Sequence, residues 1–160
     1  MSGITVAAPL GGRVLAMTEV PDPVFSEAML GPGLAIDPPR ADRLDVFAPI
    51  DGIVRTVLPH AVAIQSPEGH GVLVHLGLNT VEMQGTGFVL SVAKGDQVET
   101  GQLVISWSPR DVESSGRSVV TAVVALQAEP EELAFLVSPG DEAVAGTPLY
   151  VWTRPGRAQA

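Results

Sequence analysis

The sequence predicts an all-β fold in which two similar half-motifs pack around one core, and three observations predict it. Apolar residues make up 46% of the chain, yet 17 glycines and 14 prolines interrupt them, the composition of short strands joined by tight turns. Two pairs of segments echo one another in order. AAPLGGRV (7–14) is matched by FAPIDGIV (47–54), and KGDQVETGQLV (94–104) by PGDEAVAGTPL (139–149), so that Pro9 falls on Pro49, Gly12 on Gly52 and Gly95-Asp96 on Gly140-Asp141. Helix signals, by contrast, are few.

The elements follow along the chain. A first strand starts near Ile4. PDPVFSEAML (21–30) predicts a turn or two of helix, capped by Asp22 and stopped by Gly31-Pro32-Gly33. Pro38 to Arg43 is a loop between strands and not a linker, because too little chain precedes it to fold alone. HAVAI (60–64), SPEGHG (66–71) and VLVHLGL (72–78) predict a hairpin turning at Pro67-Glu68. AEPEELAFLV (128–137) predicts a short helix, with Pro130 and acidic residues in its first turn. Residues 154–160 read as a frayed tail, which leaves 1–153 as a single domain. Only 4% of the chain is aromatic, so the core is assigned to Val, Leu, Ile and Ala.

Composition also excludes classes of function. A formal charge of −9 and a pI near 4.6 argue against nucleic acid, which needs clustered Lys and Arg, and against an anionic membrane surface. The same charge favours a partner with a basic face, or serves solubility alone. No cysteine is present, so disulfides, thiolate chemistry and Cys-based zinc sites are excluded. The start MSGITVAAPL lacks the basic and apolar regions of a signal peptide. No apolar run approaches the roughly 20 residues that insertion into a bilayer requires. The expected location is the cytoplasm.

Three histidines carry the chemical interest. In a hairpin turning at Pro67-Glu68, His60 and His75 are direct cross-strand neighbours with Cβ atoms about 5 Å apart. Paired imidazoles among branched aliphatics suit a nucleophile or a ligand pair at cytosolic pH. Spacing alone leaves a merely packed pair equally open. His70, between Gly69 and Gly71 in the turn, is expected to be solvated.

Seven strings together resemble a known family, the glucose-class enzyme IIA of the bacterial phosphoenolpyruvate-dependent sugar phosphotransferase system. They are APLGG (8–12), VPDPVF (20–25), GPGLAI (31–36), APIDG (48–52), HAVAI (60–64), LVHLGLNTVEMQGTGF (73–88) and GTPLY (146–150). They run in the family's order over essentially the whole chain. The resemblance implies an antiparallel β-sandwich of duplicated hybrid (barrel-sandwich) type with one or two short helices, a single EIIA type-1 domain over 1–153. It implies a phosphotransferase component that accepts a phosphoryl group from the phosphocarrier HPr and passes it to a cysteine of enzyme IIB, beside the IIC membrane subunit of the sugar transporter. The histidine of the VHLG string, His75, is then the phosphoryl acceptor through Nε2. His60, in the HA string, stabilises the phosphoryl group, and the Gly77 carbonyl holds His75 Nδ1–H. Around them Val24, Phe25, Met29, Leu30, Leu73, Leu76, Leu78 and Val81 are expected to form an exposed apolar docking ring, with Asp22 as an acidic residue on its rim. No cofactor or metal is implied, although zinc could bind incidentally at His60 and His75. Regulated partner proteins remain compatible with this role.

The chain departs from the family pattern at three positions. Leu58 stands where a threonine commonly precedes the supporting histidine by two residues, Asn79 where an aspartate follows the acceptor by four, and Pro23 where an aliphatic is usual. Other classes fit less well. A zinc hydrolase of lysostaphin type needs an H-x-H pair that does not occur here, besides a third protein ligand. A biotinyl or lipoyl carrier needs a lysine at a hairpin tip, and the only lysine is Lys94, without flanking methionine. A purely regulatory binding module is the remaining alternative.

Overall fold

The computed structural model describes residues 2–154. Of the expected frayed tail, 155–160 lies outside the described residues, and Arg154 instead ends the last strand. The chain runs through β1 (Ser2–Ala7), β2 (Gly12–Ala16), helix α1 (Pro23–Ser26) and β3 (Gly33–Asp37). It continues through β4 (Leu44–Phe47), β5 (Gly52–Leu58), β6 (Ala61–Gln65), β7 (Gly71–Leu76), β8 (Phe88–Leu90), β9 (Gln97–Val98) and β10 (Leu103–Trp107). Helix α2 (Pro109–Ser114) leads to β11 (Thr121–Ala125), β12 (Leu133–Phe135), β13 (Glu142–Ala143) and β14 (Pro148–Arg154).

All recorded strand pairings are antiparallel. An eight-stranded sheet has the order β13-β2-β3-β11-β7-β6-β5-β9, and two three-stranded sheets run β1-β14-β12 and β4-β10-β8. Exchanging β1–β3 and β11–β14 for β4–β10 reverses the large sheet onto itself and swaps the small ones. The fold is therefore an antiparallel β-sandwich built from two similar halves, one inserted into the other.

The echoed segments make this duplication physical. Ala7 N donates to Pro49 O at 3.0 Å, while Phe47 N donates to Pro9 O at 2.8 Å. Val14 N meets Asp141 O and Val54 N meets Asp96 O, both at 2.8 Å. Each Gly-Asp turn closes alike, because Asp96 Oδ2 accepts from Ala93 N and Asp141 Oδ2 from Ser138 N, both at 2.9 Å. Short polar side chains fold back on the backbone in this way, which is why turn chemistry is visible in sequence.

The core is dominated by Val, Leu, Ile and Ala, as composition required, with the aromatic Trp107, Tyr150 and Trp152 fully inside. The Tyr150 hydroxyl donates to Val123 O at 3.1 Å, and burial pushes its pKa up. A smaller cluster of Met17, Val20, Phe25, Ala35, Leu78, Ala122 and Val124 lies apart from the main core.

Helix expectations fared unevenly. Asp22 does cap α1, accepting from Val24 N at 3.0 Å. The helix expected over 128–137 is corrected: it is one 3-10 turn at Pro130–Glu132 followed by β12. Pairing with β14 overrides local propensity there, and Trp152 Nε1 donates to Glu132 Oε1 at 2.9 Å. Helix α2, absent from the expectations, starts at Ser108-Pro109, with the Ser108 hydroxyl accepting from Asp111 N at 3.1 Å.

His70 is also corrected. It is fully buried, packed edge-on to Trp152 with ring centroids 4.8 Å apart, and its backbone N donates to Ser66 Oγ at 3.0 Å. The last strand covers this turn, so flanking glycines do not mean exposure.

Candidate functional site

Strand β7 sets the site by alternation. Val72, Val74 and Leu76 point into the main core, while Leu73 and His75 face the other side and are partly buried. Over that side lies the segment containing α1, and Phe25 packs against His75 with ring centroids 5.1 Å apart.

The expected pairing of His60 directly opposite His75 is corrected by one residue. Ser66 N donates to His70 O at 2.8 Å, so a three-residue loop closes the hairpin, and Ala61 lies opposite His75. A one-residue slip would put strand side chains on opposite faces. The two imidazoles nevertheless meet, with ring centroids 5.0 Å apart at 75°. His60 escapes strand alternation because Leu58 pairs with Ala61, leaving Pro59-His60 as the two-residue turn between β5 and β6. Its carbonyl accepts from Leu76 N at 2.8 Å. Its ring also meets Phe88 edge-on at 6.5 Å, and Phe88 stacks on Trp107. The phenyl support is a contact that sequence reasoning missed, since nothing in the string around Phe88 marks it as a neighbour of His60.

His75 Nδ1 lies 2.8 Å from Gly77 O. A carbonyl oxygen only accepts, so Nδ1 carries the proton and donates, and the neutral ring keeps its lone pair on Nε2. The carbonyl is aimed by its surroundings. Gly77 has φ of +76°, its N–H donates to Val120 O at 3.1 Å, and Leu78 N donates to Ser118 O at 3.0 Å. Thr80, itself fully buried, donates its hydroxyl to Leu76 O at 2.6 Å.

Burial holds both imidazoles neutral. His75 is shifted down from its usual 6.5, by desolvation first and by His60 next, against an upward pull from Gly77 and Asp22. His60 is shifted down by desolvation. At pH 7 the site thus presents an uncharged nucleophile beside an uncharged hydrogen-bonding ring.

The expected apolar ring divides. Val24, Met29, Leu30 and Val81 are exposed, Met29 and Val81 by 67% and 63%, and Leu73 is partly so. Phe25, Leu76 and Leu78 are corrected: each is buried, Leu76 in the main core and Phe25 and Leu78 in the small cluster beneath the site. Leu58, the last residue of β5 before the turn, adds an exposed apolar side chain. Asn79 adopts left-handed backbone with φ of +60°, and its carbonyl accepts from Arg117 Nε at 3.1 Å, while Arg117 pairs with Glu82 at 3.0 Å. Among the described residues no three His, Asp or Glu side chains gather as a metal-ligand set. Zinc at the imidazole pair would need further ligands from water or another molecule. Among the described residues no helix is long and apolar enough to cross a membrane.

The family described as phosphoenolpyruvate-dependent sugar phosphotransferase system, EIIA 1, matches residues 4–130. Among solved structures, the glucose permease IIA from Mycoplasma capricolum superposes with a TM-score of 0.83, at 29% sequence identity, over 94% of this chain and 96% of that one.

Proposed function

Because this chain belongs to the glucose-class EIIA family of the phosphoenolpyruvate-dependent sugar phosphotransferase system, we propose that it is a phosphoryl relay which accepts on His75 and donates to enzyme IIB. The observation that carries the reading is the His75 ring with Nδ1–H bound to Gly77 O, which leaves the Nε2 lone pair free beside His60.

The step balances as an in-line exchange. The Nε2 lone pair of His75 forms a bond to phosphorus as the donor's P–N bond breaks and returns its electron pair to the HPr imidazole. His75 leaves the step as an N-phosphorylated imidazolium whose Nδ1–H stays bound to Gly77 O. Onward transfer reverses the roles, with a cysteine thiolate of enzyme IIB forming the new S–P bond. Charge spreads over three equatorial oxygens during transfer, and a ring N–H of neutral His60 is the donor aimed at them. A polar ring that stays uncharged adds no cation that would hold the phosphoryl group too tightly to pass on.

Val24, Met29, Leu30, Leu73 and Val81 are the docking rim of this reading, with Phe25 and Leu78 buried in the small cluster below it. Asp22 offers the rim a carboxylate for a basic residue of HPr, and the net charge of −9 speeds encounter with such a face. Sugar choice lies with the membrane subunit. The setting is cytoplasmic, and any regulatory partner would read the roughly two charges that phosphorylation adds.

The test is intact mass after incubation with phosphoenolpyruvate, enzyme I and HPr, beside His75→Gln. One phosphoryl group, alkali-stable and acid-labile, is expected on the wild type alone. No gain while HPr itself is phosphorylated overturns the reading, and a gain in the variant overturns His75 as acceptor.

A further inference from the structure

We propose that Thr80 is a positioning residue for His75, acting through the two peptide units between them; the proposal rests on the relay reading and assigns a residue which that reading leaves without a role. The units Leu76–Gly77 and Gly77–Leu78 have four polar ends. Val120 O takes the N–H of the first at 3.1 Å and Ser118 O takes that of the second at 3.0 Å. The carbonyl of the second unit is the one that binds His75 Nδ1–H at 2.8 Å. The remaining end, Leu76 O, is held at 2.6 Å by the Thr80 hydroxyl.

The hinge between these units is a glycine, whose dihedrals are the least restricted of any residue. Gly77 has no side chain of its own to fix the aim of its carbonyl, so contacts on the flanking units must do so. Thr80 contributes twice. Its hydroxyl holds the first unit, and its Cγ2 lies 2.6 Å from where a Gly77 Cβ would be, filling the space into which the hinge would otherwise relax. Thr80 is fully buried and follows the end of β7, so the bond to Leu76 O is not the helical back-bonding common for threonine. A neutral imidazole carries its proton on either nitrogen, and a loosened Nδ1–H···O bond lets it move to Nε2, where it occupies the pair that attacks phosphorus.

The experiment compares the wild type with Thr80→Val, which is nearly isosteric, and with Thr80→Ser, which keeps the hydroxyl. Nitrogen-15 shifts of His75 report the tautomer in the free protein, and steady-state kinetics with phospho-HPr report transfer. Thr80→Val is expected to raise the Nε2–H share and to lower kcat roughly two- to tenfold, the scale of one neutral hydrogen bond, with KM unchanged. Thr80→Ser restores both. Thr80→Ala is read in the same way, so a folding defect peculiar to valine leaves the test intact. A wild-type tautomer and rate in the hydroxyl-free variants, with lowered melting temperature alone, overturns the proposal. If the wild type takes no phosphoryl group on His75, the relay reading is what fails, and the tautomer still decides the part played by Thr80.

Discussion

Replacing Gly77 by alanine tests whether the carbonyl beneath His75 is held by close packing or merely by backbone preference. Two terms oppose the substitution. At φ of +76° an L residue sits in left-handed backbone, at a cost of about 1–2 kcal/mol. The new methyl would also lie 2.6 Å from Thr80 Cγ2 and 2.8 Å from Ser118 O. Relieving such contacts against a buried threonine and a backbone carbonyl costs about 1–3 kcal/mol, as overpacking does elsewhere. The expected loss is therefore about 2–5 kcal/mol in all. Gly116 supplies the control, since its φ is +87° and nothing lies within 4 Å of a Cβ there. Gly116→Ala should show the backbone term alone, and the smaller unfolded-state entropy of alanine cancels between the two variants. Urea unfolding at neutral pH measures both, with midpoints compared at equal m. If Gly116→Ala costs as much as Gly77→Ala, close packing around Gly77 is refuted as a restraint added to the hydrogen bonds on its flanking peptide units.

Two further outcomes concern the imidazoles. Asp22→Asn keeps an oxygen for the Val24 N cap but removes the charge that pulls His75 upward, so proton NMR should find the His75 pKa lower still; an unchanged or higher value contradicts the field assigned to Asp22. Both His60 and His75 titrate below 6.5 when folded, so below that pH the unfolded chain binds protons which the native state refuses. Stability is full above pH of about 6.5 and falls as the pH drops through that value toward the lower native pKa values. A His60→Gln, His75→Gln double variant should lose that part of the slope in melting temperature between about pH 7 and 5.5, and an identical slope in both proteins contradicts it.

Local chemistry was legible and long-range burial was not. The duplication was readable because each Gly-Asp turn is specified within a few residues, Asp96 and Asp141 each binding the backbone three positions earlier. The cap at Asp22 was readable for the same reason, and the cap at Ser108-Pro109 carried the same kind of signal unread. The 128–137 segment misled because its proline and acidic residues do start a turn, while the choice of strand after it belongs to the edge of β14, distant in sequence.

The candidate site divides along the same line. The imidazole pair and the Gly77 carbonyl were identifiable by residue type and by the strings around them, whereas the apolar ring was legible only in part, since Phe25, Leu76 and Leu78 are buried. Register was not, because a loop longer by one residue shifts every pairing, and only the turn at Pro59-His60 returns His60 to the face of His75. Nor could sequence place Thr80 under Leu76 O, Phe88 against His60, or Trp152 over His70. By itself, then, the sequence determined the all-β class, the Gly-Asp turns, the duplication and the identity of the paired imidazoles, because those depend on neighbours along the chain. The tertiary structure alone decided which side chains are buried, which face each imidazole takes and what aims the Gly77 carbonyl, because those depend on which distant strands come to lie together.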